Sequence, residues 1–219
     1  MIYVKIINQG DNMKVKYYSL KELINKNTPI EIIDKIIMEI LKVTLPVKED
    51  YPEYKNWFLN KQVKGISLDR DIIFAVYNNE IVGVSSIKGD SIEKKICTLY
   101  VKKCFRRNSI GTNLVNLSCI ELETDKPLIT ISSNKLYDYR KIILERDWEC
   151  NEVIDNLYKF DSDEYVFNGS LYVKKDSPCE ELIKTYKKNP NDRFIKIKIF
   201  NTKIDNIIIS FRKYIKAML

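Results

Sequence analysis

The sequence predicts an α/β layered domain built on a mixed sheet, followed by a small basic α+β extension. Three observations carry that expectation. Strand-like and helix-like segments alternate through the middle of the chain, β-rich hairpins lie on both sides of them, and the charge balance changes near residue 165. The 219 residues are 45% apolar and 31% charged, enough to bury a sizeable core in one enlarged domain or in one domain plus an appendage.

Ile2–Ile7 alternates apolar and polar residues and reads as a first strand, ended by Asn8-Gln9-Gly10-Asp11. A helix follows, with Thr28 as its cap, Pro29 at its first position and Glu31 completing a capping box. Its residues Ile32, Ile33, Ile36, Ile37, Ile40 and Leu41 form the apolar face, and Pro46 stops it. The aromatic turn Tyr51-Pro52-Glu53-Tyr54-Lys55-Asn56-Trp57-Phe58 leads into a second short helix closed by Gly65. Ile72–Tyr77 and Ile81–Lys88, joined by Asn78-Asn79-Glu80, read as an antiparallel hairpin, with Lys95–Val101 as the next strand. Ser109 to about Thr124 is an amphipathic helix with Leu114, Leu117 and Cys119 inward. Pro127–Ser133 is a buried strand, Leu136–Arg146 a helix, and Trp148–Phe160 and Glu164–Val173 two more strands.

The tail is of another kind. Glu180–Lys188 reads as a helix and Phe194–Phe200 as a strand. Thr202 caps a last helix whose stripe, Ile204, Ile207, Ile208, Phe211, Ile215 and Met218, needs covering by the main domain or by a second copy of the chain. Residues 166–219 hold 12 Lys/Arg against 5 Asp/Glu, while residues 1–165 hold 25 of each, so the whole net charge of +7 lies in this last quarter.

Absences narrow the chemistry. The chain has no histidine, which excludes Ser-His-Asp and Cys-His nucleophilic sites and H-E-x-x-H metalloenzymes. Its six glycines are never two or five residues apart, so no G-x-G-x-x-G and no P-loop occurs. Five scattered cysteines without a C-x-x-C pair fit reduced, mostly buried thiols rather than a disulfide framework or a zinc site. The longest apolar run, Ile72 to Tyr77, falls far short of the roughly 20 residues of a membrane-spanning helix. Residues 1–30 lack the order of a signal peptide. A cytoplasmic protein without membrane contact is expected.

The informative stretch is Leu99-Tyr100-Val101-Lys102-Lys103-Cys104-Phe105-Arg106-Arg107-Asn108-Ser109-Ile110-Gly111-Thr112. A strand runs into a basic turn and a helix starts directly after it. The first N–H groups of a helix lack internal partners and its dipole is positive there, so a diphosphate gains several hydrogen bonds without a lysine. Ser109 and Gly111 are small enough to let ligand oxygens approach the backbone. Read alone, this junction is either a phosphate cradle or a capped turn with solvated charges.

Here the sequence resembles the GCN5-related N-acetyltransferases (GNAT), whose acetyl-CoA loop reads Q/R-x-x-G-x-G/A. Arg106-Arg107-Asn108-Ser109-Ile110-Gly111 fits that pattern, with Ser109 in place of the first glycine. The flanking order fits as well: the Ile72–Lys88 hairpin before the loop, a strand ending near Asn134 after it, then a helix and Asp147-Trp148 where similar proteins have a Gly-Phe-like pair. The resemblance spans roughly residues 28–173, so residues 1–173 are expected to form the GNAT-like domain and 174–219 the extension.

The resemblance implies a mostly antiparallel central sheet flanked by helices, with acetyl-CoA as co-substrate. Strands 95–101 and 128–134 would splay around the pantetheine. Leu99, Tyr100, Val101, Arg106, Arg107, Asn108, Ser109, Ile110, Gly111, Thr112 and Asn134 would hold the cofactor, with a backbone N–H near Val101 receiving the thioester carbonyl. The tyrosine that many relatives place four residues before the Gly-Phe pair is replaced by Ile143, so Tyr137 and Tyr139 are the candidate acids and Glu93 the candidate base. The aromatic turn at 51–58 takes the place of the acceptor wall or simply packs on the sheet. The implied activity is acetyl transfer to an unknown primary amine acceptor. The alternatives are a GNAT-fold binding module without catalysis, favoured by Ser109 and Ile143, and a nucleic-acid contact through the basic tail. A homodimer through the last helix is also open.

Overall fold

The computed structural model describes residues 7–9 and 13–171, which divide into two compact units, one ending at Ile129 and one starting at Thr130. The first unit is an antiparallel meander. Strands β1 (Ile7–Gln9), β2 (Met13–Ser19), β3 (Arg70–Tyr77), β4 (Glu80–Gly89) and β5 (Lys94–Val101) lie side by side, each antiparallel to the one before. The last, β6 (Leu128–Ser132), starts parallel to β5, with Leu128 opposite Lys95 and Ile129 opposite Ile96.

Local chemistry sets this pattern. Asn78 and Asn79 take left-handed φ values of 47° and 62°, as a tight two-residue hairpin turn requires and as asparagine tolerates. Between β4 and β5, Ser86 faces Thr98 but Ile87 faces Ile96, so Cys97 is an extra residue that bulges β5. Short helices occupy one side of the sheet: α1 (Leu20–Asn25), α2 (Ile30–Thr44) and α3 (Tyr54–Trp57), the last continuing as a wider helical turn over Phe58–Val63. Leu20, Ile33, Ile40, Leu41, Tyr54 and Phe58 from these helices bury themselves against Ile72, Phe74 and Val84 of the sheet. Asp71 ties α1 to β3 by accepting from the Ser19 hydroxyl at 2.6 Å and the Lys21 N–H at 2.9 Å. No counter-cation stands among these partners, and burial pushes its carboxyl up from the usual carboxylate range.

Among the described residues of this unit, the opposite face carries α4 (Ile110–Glu121). Tyr17, Ala75, Gly83 and Val101 follow one another across four strands in register, so their side chains share this face. Large residues at the ends and small ones in the middle make a trough. The helix fills it: a Cβ on Gly83 would stand 3.0 Å from both Ile110 and Leu114 side-chain carbons, and Asn113 donates to the Tyr17 hydroxyl at 3.1 Å. Farther along, the Ser85 and Ser118 hydroxyls meet at 2.7 Å. Ile110, Leu114 and Val115 are at most 1% exposed, and each contributes about 2 kcal/mol by burial.

The second unit holds the end of β6, helix α5 (Leu136–Glu145) and the antiparallel pair β7 (Cys150–Asp155) and β8 (Asp163–Phe167). Its buried side chains include Ile142, Ile143, Trp148, Val166 and Phe167, and the Ser132 and Ser162 hydroxyls pair at 3.0 Å.

The mixed, mostly antiparallel sheet with flanking helices is the expected architecture, and several details correct the sequence reading. Asn8 and Gln9 belong to β1 rather than to a turn, while Ile2 to Ile6 lie outside the described residues. The strand β2 and helix α1 were not expected. Thr28 does not cap α2: Pro29 stands at the cap with extended ψ of 138° and no side-chain bond closes the end. Ile32 is 47% exposed, because it lies about 100° around the helix from the buried Ile33. Within the described residues, the expected strands at 148–160 and 164–173 shorten to β7 and β8, ended by the left-handed residues Asn156 and Asn168, while 172 and 173 lie outside them. The helix, strand and apolar stripe expected between 174 and 219 lie outside the described residues. Among the described residues no helix is long and apolar enough to cross a membrane.

The trough gives a testable prediction. Gly83→Val should destabilise the protein by about 1–3 kcal/mol through overpacking against Ile110 and Leu114, read as a lower urea midpoint with unchanged slope. An unchanged midpoint contradicts the close approach.

Candidate functional site

The loop between β5 and α4 is held by its own sequence. Lys102 N–H donates to Val82 O at 2.9 Å, and its ammonium pairs with Glu80. A tight helical turn over Lys103–Phe105 follows, with Phe105 packed edge-on against Tyr77, ring centres 5.9 Å apart. The Arg106 side chain folds back, its Nε donating to Val101 O at 3.1 Å, and the Asn108 amide spans the Phe105 and Arg106 carbonyls at 3.3 and 3.4 Å. Arg106 is thus spent on the loop's shape, whereas Arg107 is exposed.

What this scaffold presents is backbone. Arg107 and Ser109 both adopt left-handed φ, 65° and 50°, and Ser109 is the N-cap of α4 without a side-chain capping bond. Such a turn aims successive N–H groups into one concavity. The first helical bond runs from Asn113 N to Ser109 O at 2.9 Å. Within the described residues, the N–H groups of Arg107, Asn108, Ser109, Ile110, Gly111 and Thr112 donate no hydrogen bond. Gly111 leaves open space, since a Cβ there would meet only a Val101 methyl at 3.7 Å. Six unspent donors, the positive end of a 12-residue helix and the exposed Arg107 make an anion site suited to a diphosphate.

On the other face of the sheet, the β5 bulge lies below α3. Tyr54 is 4% exposed; its hydroxyl faces Thr44 and Thr98 without a hydrogen bond of normal geometry, and burial pushes its pKa up to about 12. The buried Ser86 hydroxyl, on the strand position opposite Thr98, is also unpaired. Beside them Arg70 donates to Gln62 Oε1 at 3.1 Å, touches Cys97 Sγ at 3.8 Å and lies 5.9 Å from the Trp57 ring centre. Burial pushes the Cys97 thiol up, against the charges of Lys95 and Arg70, so it is a poor nucleophile. Of the aromatic turn, Tyr54 and Phe58 are core residues, while Trp57 is half-buried.

The candidate residues fall in three places. Leu99, Tyr100 and Val101 end β5, and Arg106, Arg107, Asn108, Ser109, Ile110, Gly111 and Thr112 form the cradle. Glu93 lies at the opposite end of β5, about 23 Å along the strand from Val101, and its carboxylate is engaged by Lys88 at 2.9 Å; the structure does not bring it to the cradle. Asn134, Tyr137 and Tyr139 belong to the second unit. There Asn134 and Tyr137 are exposed, and the Tyr137 ring is covered by the Arg140 guanidinium at 3.7 Å. Ile143 is buried. Asp147 takes a left-handed φ of 48°, the conformation a glycine at that position would provide. The sequence reading missed Arg70 and Gln62. A glutamine in an apolar helical turn and a lone glycine just after it were the available signals.

Comparison with known proteins bears on the fold. Residues 50–138 match the family model described as acetyltransferase (GNAT) domain. Among solved structures, an aminoglycoside 6'-N-acetyltransferase complexed with coenzyme A superposes with a TM-score of 0.50 at 15% identity, over 71% of this chain and 95% of that one. The aminoglycoside 6'-N-acetyltransferase from Enterococcus faecium gives 0.46 at 16%, over 65% and 91%. A GNAT family acetyltransferase from Elizabethkingia anophelis with acetyl-CoA bound gives 0.39 at 20%, over 50% and 81%. No curated protein matches by sequence.

The strained cap yields a prediction. Ser109→Gly should stabilise the protein by about 1 kcal/mol, because glycine adopts left-handed φ without the Cβ clash. A thermal melt that falls or stays flat contradicts a left-handed Ser109.

Proposed function

We propose that this chain, whose residues 50–138 match the GNAT acetyltransferase domain, transfers an acetyl group from acetyl-CoA to a primary amine. The observation that carries the reading is the row of unspent N–H groups from Arg107 to Thr112 at the start of α4, beside the end of β5. The diphosphate of acetyl-CoA sits on these donors, with Arg107 adding charge. The rest of the molecule runs along β5 from Val101 towards the bulge at Cys97. Its thioester carbonyl takes a backbone N–H of β5 farther along the strand, between Val101 and the bulge, which stabilises the oxyanion as the amine adds. The amine nitrogen forms the new C–N bond, the C–S bond breaks, the sulfur leaves as the CoA thiolate, and the nitrogen gives up one proton. Most of the acceleration comes from holding the two reactants together, which suits a chain without histidine.

Ser109 and Ile143 keep a second reading in view, a binding module of the same fold. It retains acetyl-CoA affinity and lacks turnover.

Calorimetric titration of acetyl-CoA, followed by thiol release in the presence of an amine panel, separates the outcomes. The wild type should bind at micromolar level and release thiol only with amine present. Gly111→Glu should fold normally, since the position is open, and lose at least about tenfold in affinity by placing a carboxylate against the diphosphate. Equal affinity of the variant overturns the cradle; binding without thiol release supports the binding module.

A further inference from the structure

We propose that Arg70 anchors a carboxylate of the acceptor, so that the substrates are amines bearing an anionic group. The inference deepens the acetyl-transfer reading and rests on it. Arg70 opens β3, on the same sheet face as Ile72 and Phe74, and its side chain is only 15% exposed. A guanidinium so withdrawn from water ordinarily has a carboxylate in hydrogen-bond contact. Here its partners are the neutral Gln62 amide, the Cys97 thiol and the Trp57 ring. Asp69 forms a long ion pair with Nε at 3.9 Å, beyond hydrogen-bond distance, so it leaves the Nε and Nη2 donors unused. The other nearby acids are taken: Asp90 and Glu93 pair with Lys88, at 2.8 and 2.9 Å. Among the described residues, Nε and Nη2 of Arg70 donate no hydrogen bond.

Three separate features hold this cation in place. Gln62 is fully buried, and its amide Nε2 donates to Asp71 O at 2.8 Å, which leaves Oε1 for the guanidinium. Gly65 makes room for the arginine stem, since a Cβ there would stand 2.4 Å from Arg70 Cδ. Trp57 covers the guanidinium from one side. The guanidinium also lies at the β5 bulge, on the strand along which the acyl arm runs. An amine reaching the thioester from this face meets the free edge of the guanidinium, and a carboxylate on the same molecule accepts from Nε and Nη2 together.

The test uses matched amines that differ only in a carboxylate, phenylalanine with phenethylamine and lysine with cadaverine. Wild type should favour the carboxylate-bearing member by about 10–100-fold in kcat/KM, the range expected when a charged hydrogen-bonding group is matched or left bare. Arg70→Gln should erase that preference through KM while leaving acetyl-CoA affinity unchanged, and Arg70→Lys should retain part of it. Thermal melts of both variants check that they fold. Titration of the same pairs into CoA-loaded protein reads the anchor without turnover. Binding that ignores the carboxylate, no binding of any pair, or loss of acetyl-CoA affinity in Arg70→Gln overturns the anchor. Failure of the wild type to bind acetyl-CoA at all overturns the acetyl-transfer reading instead.

Discussion

The close approach of one helix to one sheet governs the rest of the first unit. Because Ala75 and Gly83 are small, α4 settles into the sheet surface between Tyr17 and Val101. That depth fixes where its first turn ends up, within van der Waals reach of the end of β5. An orphaned helix N-terminus is common and usually solvated. This one is placed at a strand end, with a basic loop tied down on three sides, so its donors have a defined direction. The site therefore depends on packing more than on any functional side chain.

The opposite face has a different logic. There the helices α2 and α3 bury ordinary apolar side chains, and polar groups gather around the bulge in β5. Tyr54, Ser86 and Thr98 bring hydroxyls, and Arg70, Gln62 and Cys97 bring a cation whose hydrogen-bond partners are soft or neutral. Such groups cost stability where they are incompletely paired. Their concentration at one irregular point of the sheet, with the anion cradle on the other side of β5, is the physical basis of the proposal that donor and acceptor meet there from two faces.

Much of this was legible in the sequence because local signals were strong. Asn78-Asn79 marked the hairpin, and the basic turn running into Ile110–Glu121 marked the cradle. The short elements were not legible: α1 has six residues, and β2 follows a turn signal that the chain overrides at Asn8 and Gln9. Thr28 and Glu31 form a capping pattern, yet Pro29 takes the cap position because its own extended ψ starts the helix. Arg70 was hidden for another reason. Between Asp69 and Asp71 it looks like one of many solvated charges, and only tertiary contacts with Trp57, Gln62 and Gly65 set it apart. Ser109 shows the reverse case: the residue departs from the glycine pattern while its backbone takes a left-handed conformation that glycine adopts freely.

On the proposed function, backbone donors at the start of α4 hold the diphosphate. The most direct measurement is two-dimensional amide NMR of the full chain titrated with acetyl-CoA and, separately, with pyrophosphate. Large downfield shifts of the amides between Arg107 and Thr112 with both ligands, alongside shifts at the end of β5 with acetyl-CoA alone, are the predicted result. Amides in this stretch that stay unmoved while acetyl-CoA binds elsewhere would contradict the account.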